Sequence, residues 1–263
     1  MALLPVILAA LAAAPVGSDS EAPDETRRWP RWRAERRSNV AGTDAANAAS
    51  VVAVGRSRVW HCTGTLVGPR LVLTARHCLP ATTVYFGTDT ERLVPSHVRR
   101  VAHAVGHEDA ALDVALLVLN EAPPSGVPIQ SLRRSATPPG NDLRAVGFGG
   151  TSPQRGSAKL RNVRLRASGW GCVPVRARRL DCDPRSEILV FPSGGQDTCS
   201  GDSGGPLLER TPNGWVQIAV TSRAFRDAVV DCGQGGAYVR TDVLTDWIAQ
   251  ISERSKESNR SDR

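Results

Sequence analysis

The sequence predicts an all-β protein, and two observations support this prediction. Glycine occurs 24 times and proline 18 times in 263 residues, which suits many short strands and turns better than long helices. Between Val51 and Leu119, apolar clusters alternate with turn residues, and no long helical period separates the clusters. A parallel sheet of alternating strands and helices is therefore disfavoured. The length suits one large domain or two modest ones.

The first residues are typical of a targeting segment. Leu3 to Ala14 is nearly all apolar and ends in small residues that fit an A-x-A cleavage pattern, whereas a short core helix is the alternative. We expect residues 1–17 to be a signal peptide and the protein to be secreted or extracytoplasmic. Residues 18–38 resemble a basic pro-segment or linker, in which Pro30 and the many charges disfavour a stable element.

The charge of the chain is positive, with a formal net value of +7 that is carried almost wholly by arginine. Arginine and tryptophan alternate in residues 27–37, a pattern that can also bind membrane surfaces or nucleic acid. Part of the excess lies in this removable segment, and no basic cluster elsewhere indicates nucleic acid. We expect neither a nucleic-acid partner nor stable membrane insertion, and we expect the polar tail, residues 252–263, to be disordered.

The segment Cys199–Pro206 reads Cys-Ser-Gly-Asp-Ser-Gly-Gly-Pro and combines a nucleophile with a flexible backbone. Ser203 supplies a hydroxyl, and the glycines beside it let consecutive N–H groups converge on one point. Convergent donors of this kind stabilise the oxyanion of acyl transfer. A surface turn is the alternative, and the two interpretations differ in whether the chain also holds a base and an orienting acid.

Both partners are present in the sequence. His77 lies in the segment that directly follows the apolar run 66–73, and Asp113 is embedded in the strand-like apolar segment 112–119. A carboxylate in such a segment is costly unless a partner satisfies it. Asp113 can accept the proton of one ring nitrogen of His77, which leaves the other nitrogen to deprotonate Ser203.

This order of histidine, aspartate and serine resembles that of the trypsin/chymotrypsin-type serine proteases, and the likeness runs from about Val40 to about Ile251. Further segments resemble the family's mature start, a cysteine-bearing strand, a glycine turn and a C-terminal helix: Val40–Ala45, Cys62–Leu66, Gly147–Gly149 and Asp246–Ile248. The resemblance implies a domain over residues 39–251, built from two antiparallel six-stranded β-barrels with the active site in the cleft between them.

The same resemblance implies the remaining parts of the reaction. The N–H groups of Gly201 and Ser203 would form the oxyanion hole. The enzyme would need no metal or cofactor, would be monomeric, and would act on protein or peptide substrates and bind protein protease inhibitors. A zinc site also fits poorly because the chain has no Cys-x₂-Cys pair.

The six cysteines fit an oxidising compartment, although reduced thiols in a cytosolic protein are the alternative. Six cysteines allow fifteen pairings, so counting does not fix the connectivity. The resemblance implies three disulfides: Cys62–Cys78, Cys172–Cys182 and Cys199–Cys232.

Substrate selectivity is indicated by Asp197, six residues before Ser203, where trypsin-like relatives keep the acid at the floor of the primary pocket. A buried acid without an internal cation would favour a substrate Arg or Lys, whereas a solvated loop carboxylate would not. Thr198, Gly236 and Tyr238 match other floor and wall positions of the pocket. Ser222 and Ala224 are also expected to contact substrate, and Ala224 stands where the family usually has glycine, so it would narrow the pocket mouth. Arg223 stands where the family usually has tryptophan, so it places a cation near the subsites and could favour acidic neighbouring residues or repel basic ones.

Activation is the last prediction. In the family, a cut before the mature start frees an amine that pairs with the aspartate before the catalytic serine, which is Asp202 here. The aligned start is Asn39, preceded by Ser38 rather than by arginine. If no amine reaches Asp202, the alternative is a non-catalytic binding protein on a protease scaffold that acts through its Arg-rich surface. The complete triad favours the enzyme.

Overall fold

The computed structural model describes residues 48–57, 59–150, 158–167, 169–230 and 232–261. The predicted signal peptide (1–17), the predicted pro-segment (18–38) and the expected start at Asn39 lie outside the described residues.

Six strands form the first closed antiparallel barrel, in the order β1-β2-β3-β6-β5-β4. The strands are β1 Val51–Arg56, β2 Val59–Gly68, β3 Leu71–Thr74, β4 Thr83–Tyr85, β5 Val98–Gly106 and β6 Ala115–Leu119. Short 3₁₀ turns at Arg76–Cys78 and Pro95–His97 connect some of them. The apolar clusters of the sequence are thus the strands of this barrel.

Six further strands form a second closed antiparallel barrel, in the order β10-β11-β12-β9-β8-β7. They are β7 Leu143–Gly147, β8 Arg161–Arg166, β9 Glu187–Pro192, β10 Pro206–Thr211, β11 Gly214–Ala224 and β12 Gly236–Arg240. A short helix, α1 Pro174–Leu180, lies between β8 and β9. This architecture confirms the predicted fold class.

Each barrel has its own apolar interior. Buried valine, leucine and phenylalanine side chains such as Val52, Leu66 and Phe86 fill the first, and a similar set that includes Leu165, Ile188 and Tyr238 fills the second. Neighbouring residues of β3 and β6 pack into different apolar clusters, with Val72 and Leu117 in the first interior and Leu71 and Leu116 in a second cluster, as the period of a strand requires.

A C-terminal helix, α2 Thr245–Ser261, covers the outer face of the first barrel. Trp247, Ile248 and Ile251 pack in one apolar cluster with Leu71 and Leu116. The helix corrects the expectation of a disordered tail for residues 252–261, which continue it to Ser261.

The extension of α2 has a local cause. Once a helix is nucleated, each added residue gains one backbone hydrogen bond. In the tail, Lys256 also pairs with Glu253 at 2.7 Å, and Ser255 Oγ donates to the Ile251 carbonyl at 2.8 Å. Among the described residues, no helix has the length and apolar character needed to cross a membrane.

Candidate active site

His77 and Asp113 face each other in the first barrel. His77 lies in the 3₁₀ turn that follows β3, and Asp113 lies two residues before β6, which pairs with β3. His77 Nδ1 is 2.7 Å from Asp113 Oδ2, and the backbone N–H of His77 donates to Asp113 Oδ1 at 3.0 Å. Both carboxylate oxygens therefore hold the histidine in one orientation.

A third donor completes the environment of Asp113. Ser222 Oγ donates to Asp113 Oδ2 at 2.7 Å. Burial raises the pKa of Asp113, but the hydrogen bonds from His77 and Ser222 and the charge of His77 outweigh it, so that the pKa lies below its usual value. Asp113 is therefore held as a carboxylate, which is the form that can orient an imidazole.

Ser203 reaches the same region from the second barrel, in the loop that precedes β10. Its carbonyl accepts the N–H of Thr63 at 2.9 Å, and Thr63 Oγ1 donates to the Gly201 carbonyl at 2.7 Å. A Cβ on Gly204 would lie 2.1 Å from Thr74 Oγ1 and 2.6 Å from the Ala75 nitrogen. Only glycine thus lets the serine loop lie this close to the residues just before His77.

No hydrogen bond joins Ser203 Oγ to His77 among the described residues. Contacts between a nucleophile and its base are often loose without substrate and shorten in the substrate complex.

The backbone around Ser203 leaves two donors available. Gly201 has φ of +101°, a conformation that glycine adopts readily, and a Cβ there would meet the Phe148 carbonyl at 2.9 Å. The N–H of Asp202 donates to Cys199, whereas the N–H groups of Gly201 and Ser203 donate to no described group. Both are therefore free to receive an oxyanion.

Asp202 is buried, with 2% of its surface exposed, and its carboxylate contacts two backbone amides. Oδ1 accepts from Gly149 at 2.8 Å, and Oδ2 accepts from Cys199 at 2.9 Å. The carboxylate thus connects the nucleophile loop to the glycine turn after β7. Asn39, the residue expected to deliver its amine partner, lies outside the described residues.

Asp197 is half-buried, and its carboxylate contacts both the next residue of its own loop and the segment before β12. Its Oδ1 accepts the N–H of Thr198 at 2.8 Å, and its Oδ2 accepts those of Gly233 at 2.9 Å and Gly235 at 2.7 Å. Burial raises the pKa of Asp197 above its usual value, and these backbone hydrogen bonds only partly offset the effect. A further backbone hydrogen bond comes from Gln234, so most of the roughly four lone-pair sites of this carboxylate are already occupied.

Thr198 directly follows Asp197, and the other expected pocket residues lie on β11 and β12. Thr198 Oγ1 lies 2.7 Å from the hydroxyl of Tyr238, which is buried in the second barrel. Gly236 pairs with Ala224, and a Cβ on Gly236 would lie 2.4 Å from the Arg223 carbonyl. These contacts join Asp197 to Thr198, Thr198 to Tyr238 and Ala224 to Gly236.

The side chain of Ser222, which the sequence assigns to substrate binding, contacts Asp113. Ser222 interrupts the pairing of β11 with β12, because the register shifts between Thr221 and Arg223. Such a bulge re-aims a side chain. The side chain of Ser222 is buried and donates to Asp113, so it helps to hold this carboxylate in place.

Arg223 also differs from its expected role. Its terminal nitrogens contact Glu187 on β9, with Nη1 2.5 Å from Oε1 and Nη2 3.0 Å from Oε2. The cation is thus paired within the protein.

The three expected disulfides are present in the structure: Cys62–Cys78, Cys172–Cys182 and Cys199–Cys232. The first is next to His77, and the third connects the nucleophile loop to the segment that holds Asp197. Cys62, Cys78 and His77 also lie within the distances of a metal site. Because the two sulfurs are bonded to each other, they offer no thiolate to a metal.

Sequence reasoning missed three residues that shape the site. Thr63 bridges the two barrels, Thr74 Oγ1 donates to the Thr63 carbonyl at 2.7 Å, and Glu187 pairs with Arg223. Thr74 and Glu187 are polar residues in otherwise apolar strands, which is the signal that could have identified them. Thr63 lies in a strand of mixed polarity and gives no such signal. All three are buried.

Comparisons with known proteins agree with this geometry. A family model described as Trypsin matches residues 40–248. Transmembrane protease serine 9 of Rattus norvegicus is 30% identical over 219 residues, which cover 74% of this chain and 20% of that protein. The chain thus spans about a fifth of the length of the rat protein.

Two relatives are matched over most of their length. Snake venom serine protease ussurase of Gloydius ussuriensis is 29% identical, with 74% of this chain and 87% of the relative covered. Snake venom serine protease 1 of Craspedocephalus gramineus is 28% identical, with 81% of this chain and 86% of the relative covered.

Proposed function

Because this chain belongs to the trypsin family of serine proteases, we propose that it is a secreted endopeptidase that cleaves peptide bonds after arginine or lysine. Hydrolysis by a serine endopeptidase is the activity of the family. The single observation that supports the basic specificity is the half-buried Asp197 carboxylate, which has no cation among its hydrogen-bond partners in the described residues.

In the first half of the reaction, Ser203 Oγ attacks the substrate carbonyl while His77 Nε2 takes the hydroxyl proton. Asp113 accepts the Nδ1–H and stabilises the imidazolium that forms. The N–H groups of Gly201 and Ser203 donate to the new oxyanion. His77 then gives its proton to the leaving amine, and the carbon–nitrogen bond breaks to leave an ester on Ser203.

In the second half, water attacks the ester carbonyl and His77 takes a proton from that water. The tetrahedral intermediate collapses as His77 returns the proton to Ser203 Oγ, which releases the carboxylic acid. All proton transfers use residues of this chain.

The number of acceptor sites left on the Asp197 carboxylate determines the expected preference between arginine and lysine substrates. A bidentate guanidinium needs two acceptor sites, whereas an ammonium group can bind through one. Because Thr198, Gly233 and Gly235 already occupy most sites of this carboxylate, we expect arginine and lysine substrates to be used about equally well, within roughly tenfold.

Hydrolysis of matched Arg, Lys, Phe and Ala ester substrates tests the specificity. We expect the Arg and Lys esters to be cleaved fastest. Preference for the Phe or Ala ester would exclude a basic primary pocket while leaving the serine protease mechanism intact.

Activation needs an amine for Asp202, and we propose that cleavage near Asn39 supplies it. Amino-terminal sequencing of the active protein tests this proposal, and an active protein that still carries residues 18–38 would contradict it. Secretion is supported by three disulfides, which persist in oxidising compartments. We propose a monomer that protein protease inhibitors can bind.

A further inference from the structure

Arg223 and Glu187 form a salt bridge between two strands of the second barrel. Arg223 is on β11, beside the catalytic acid's partner Ser222, and Glu187 begins β9 on the far side of β12. Glu187 has 2% of its side chain exposed and Arg223 has 38%. A buried carboxylate needs donors, and two parallel N–H···O bonds from one guanidinium satisfy it with fixed geometry.

Neighbouring backbone groups hold the pair in place. Glu187 Oε2 also accepts the N–H of Asp183 at 2.9 Å, and Arg223 Nη2 also donates to the carbonyl of Asp181. Burial works against the charge on Arg223, but its hydrogen bonds and attraction to Glu187 outweigh this and raise the pKa of the guanidinium. Arg223 therefore stays charged, and both of its terminal nitrogens are engaged.

One of these nitrogens reaches the catalytic acid through Ser222. Nη1 of Arg223 donates to Ser222 Oγ at 3.4 Å, and Ser222 Oγ lies 2.7 Å from Asp113 Oδ2. A hydroxyl has one proton to donate. Because its oxygen already accepts from Nη1, the Ser222 proton is directed at Asp113.

We propose that Arg223 and Glu187 are positioning residues for the catalytic acid, which orient the Ser222 hydroxyl so that it donates to Asp113. In this role Arg223 is not a cation that binds acidic residues of the substrate, because Glu187 and Asp181 occupy its terminal nitrogens. The proposal rests on the serine protease reaction of the preceding section, but it does not depend on which residue precedes the cleaved bond.

The test replaces the ion pair with apolar residues in the processed, active protein, as the double variant Glu187→Leu/Arg223→Met. Replacing a buried ion pair with apolar residues of similar volume often leaves stability unchanged, whereas removing one partner leaves the other charge buried and unpaired. We expect the double variant to fold with a near-normal melting temperature and to lose about tenfold in kcat, the effect of roughly one hydrogen bond, with KM unchanged. The substrate is the single-residue ester that the unaltered protein hydrolyses fastest, so a wrong basic specificity does not affect the result.

A mutant cycle shows whether the effect passes through Ser222. We expect Ser222→Ala to lower kcat, and the double substitution to cause no further loss in that background. The control is Arg179→Met, which removes an exposed ion pair with Asp227 in the same barrel and is expected to leave kcat and KM unchanged.

Three results would overturn the proposal. The first is an unchanged kcat in the folded double variant, and the second is an effect that adds fully to that of Ser222→Ala. The third is a rise in KM restricted to peptides with glutamate before the cleaved residue, with ester hydrolysis unchanged, which would identify Arg223 as a substrate-binding cation.

Discussion

Replacing Asp197 with asparagine is expected to remove most of the preference for basic substrates. The amide keeps the shape of the side chain, and its oxygen can still accept from Gly233 and Gly235. The negative charge, however, is lost. Two unit charges about 4 Å apart attract by about 4 kcal/mol at an effective dielectric constant of about 20.

Backbone N–H groups already donate to the Asp197 carboxylate and stabilise its charge. We therefore expect the substitution to cost less binding free energy than this Coulomb value. Truncating one partner of a buried charge pair costs about 2–5 kcal/mol. We therefore expect Asp197→Asn to lower kcat/KM for an Arg ester by ~30-fold to ~10³-fold, which corresponds to about 2–4 kcal/mol.

Steady-state hydrolysis of the Arg ester and the Phe ester measures this effect. The Phe ester should change little, because its side chain carries no charge to lose. Asp227→Asn removes an equal charge at an exposed site in the same barrel and serves as the control. Equal losses for both esters would show that Asp197 acts only on the structure of the loop, and an unchanged Arg ester would refute its place in the pocket.

Three further predictions concern other parts of the site. Gly149→Ala places a Cβ 2.0 Å from Asp202 Oδ2. We therefore expect a lower melting temperature, equivalent to about 1–3 kcal/mol of unfolding free energy, and less labelling of Ser203 by an organophosphate. Gly68→Ala is the control and should be milder, because its Cβ would meet only a side chain at 3.3 Å. Asp113→Asn would donate to the catalytic base and hold it in the wrong tautomer, lowering kcat by ~10⁴-fold in ester assays, and a loss below tenfold would contradict the assigned orientation. Benzamidine, an amidinium probe, should bind only when Asp197 is ionised. Burial raises the pKa of Asp197 above 3.8, so inhibition by benzamidine should weaken as the pH falls through that raised value. Inhibition that does not depend on pH would contradict this prediction.

The three segments of the proposed triad could be identified from short motifs because each motif carries its chemistry locally, whereas the disulfide pairing followed only from the family resemblance. Ser203 lies between glycines, His77 follows an apolar strand, and Asp113 is a carboxylate in a segment that otherwise reads as buried. The family's order of these motifs then implied two barrels, and the strand order bears this out.

The role of Arg223 could not be predicted because its partner is distant in sequence. Glu187 lies 36 residues earlier, and it reaches Arg223 only because β12 pairs with both β9 and β11. The bulge that turns Ser222 toward Asp113 is likewise a property of strand register. The family resemblance placed Arg223 near the subsites, but it did not show that the charge is paired.

The helical course of residues 252–261 was missed for a different reason. The polar composition of this tail gives no apolar face, so no helical period is visible. The helix continues because it is nucleated by Trp247, Ile248 and Ile251, which pack on the first barrel.

The central claim is that Ser203 is a nucleophile activated by His77. Stoichiometric labelling of the processed protein with an organophosphate, followed by mass mapping of the label, tests it most directly. We predict one label per chain on Ser203, loss of ester hydrolysis in proportion to labelling, and no label in folded Ser203→Ala or His77→Ala protein. A folded, processed protein that takes up no label would contradict the claim and would favour a binding protein on a protease scaffold.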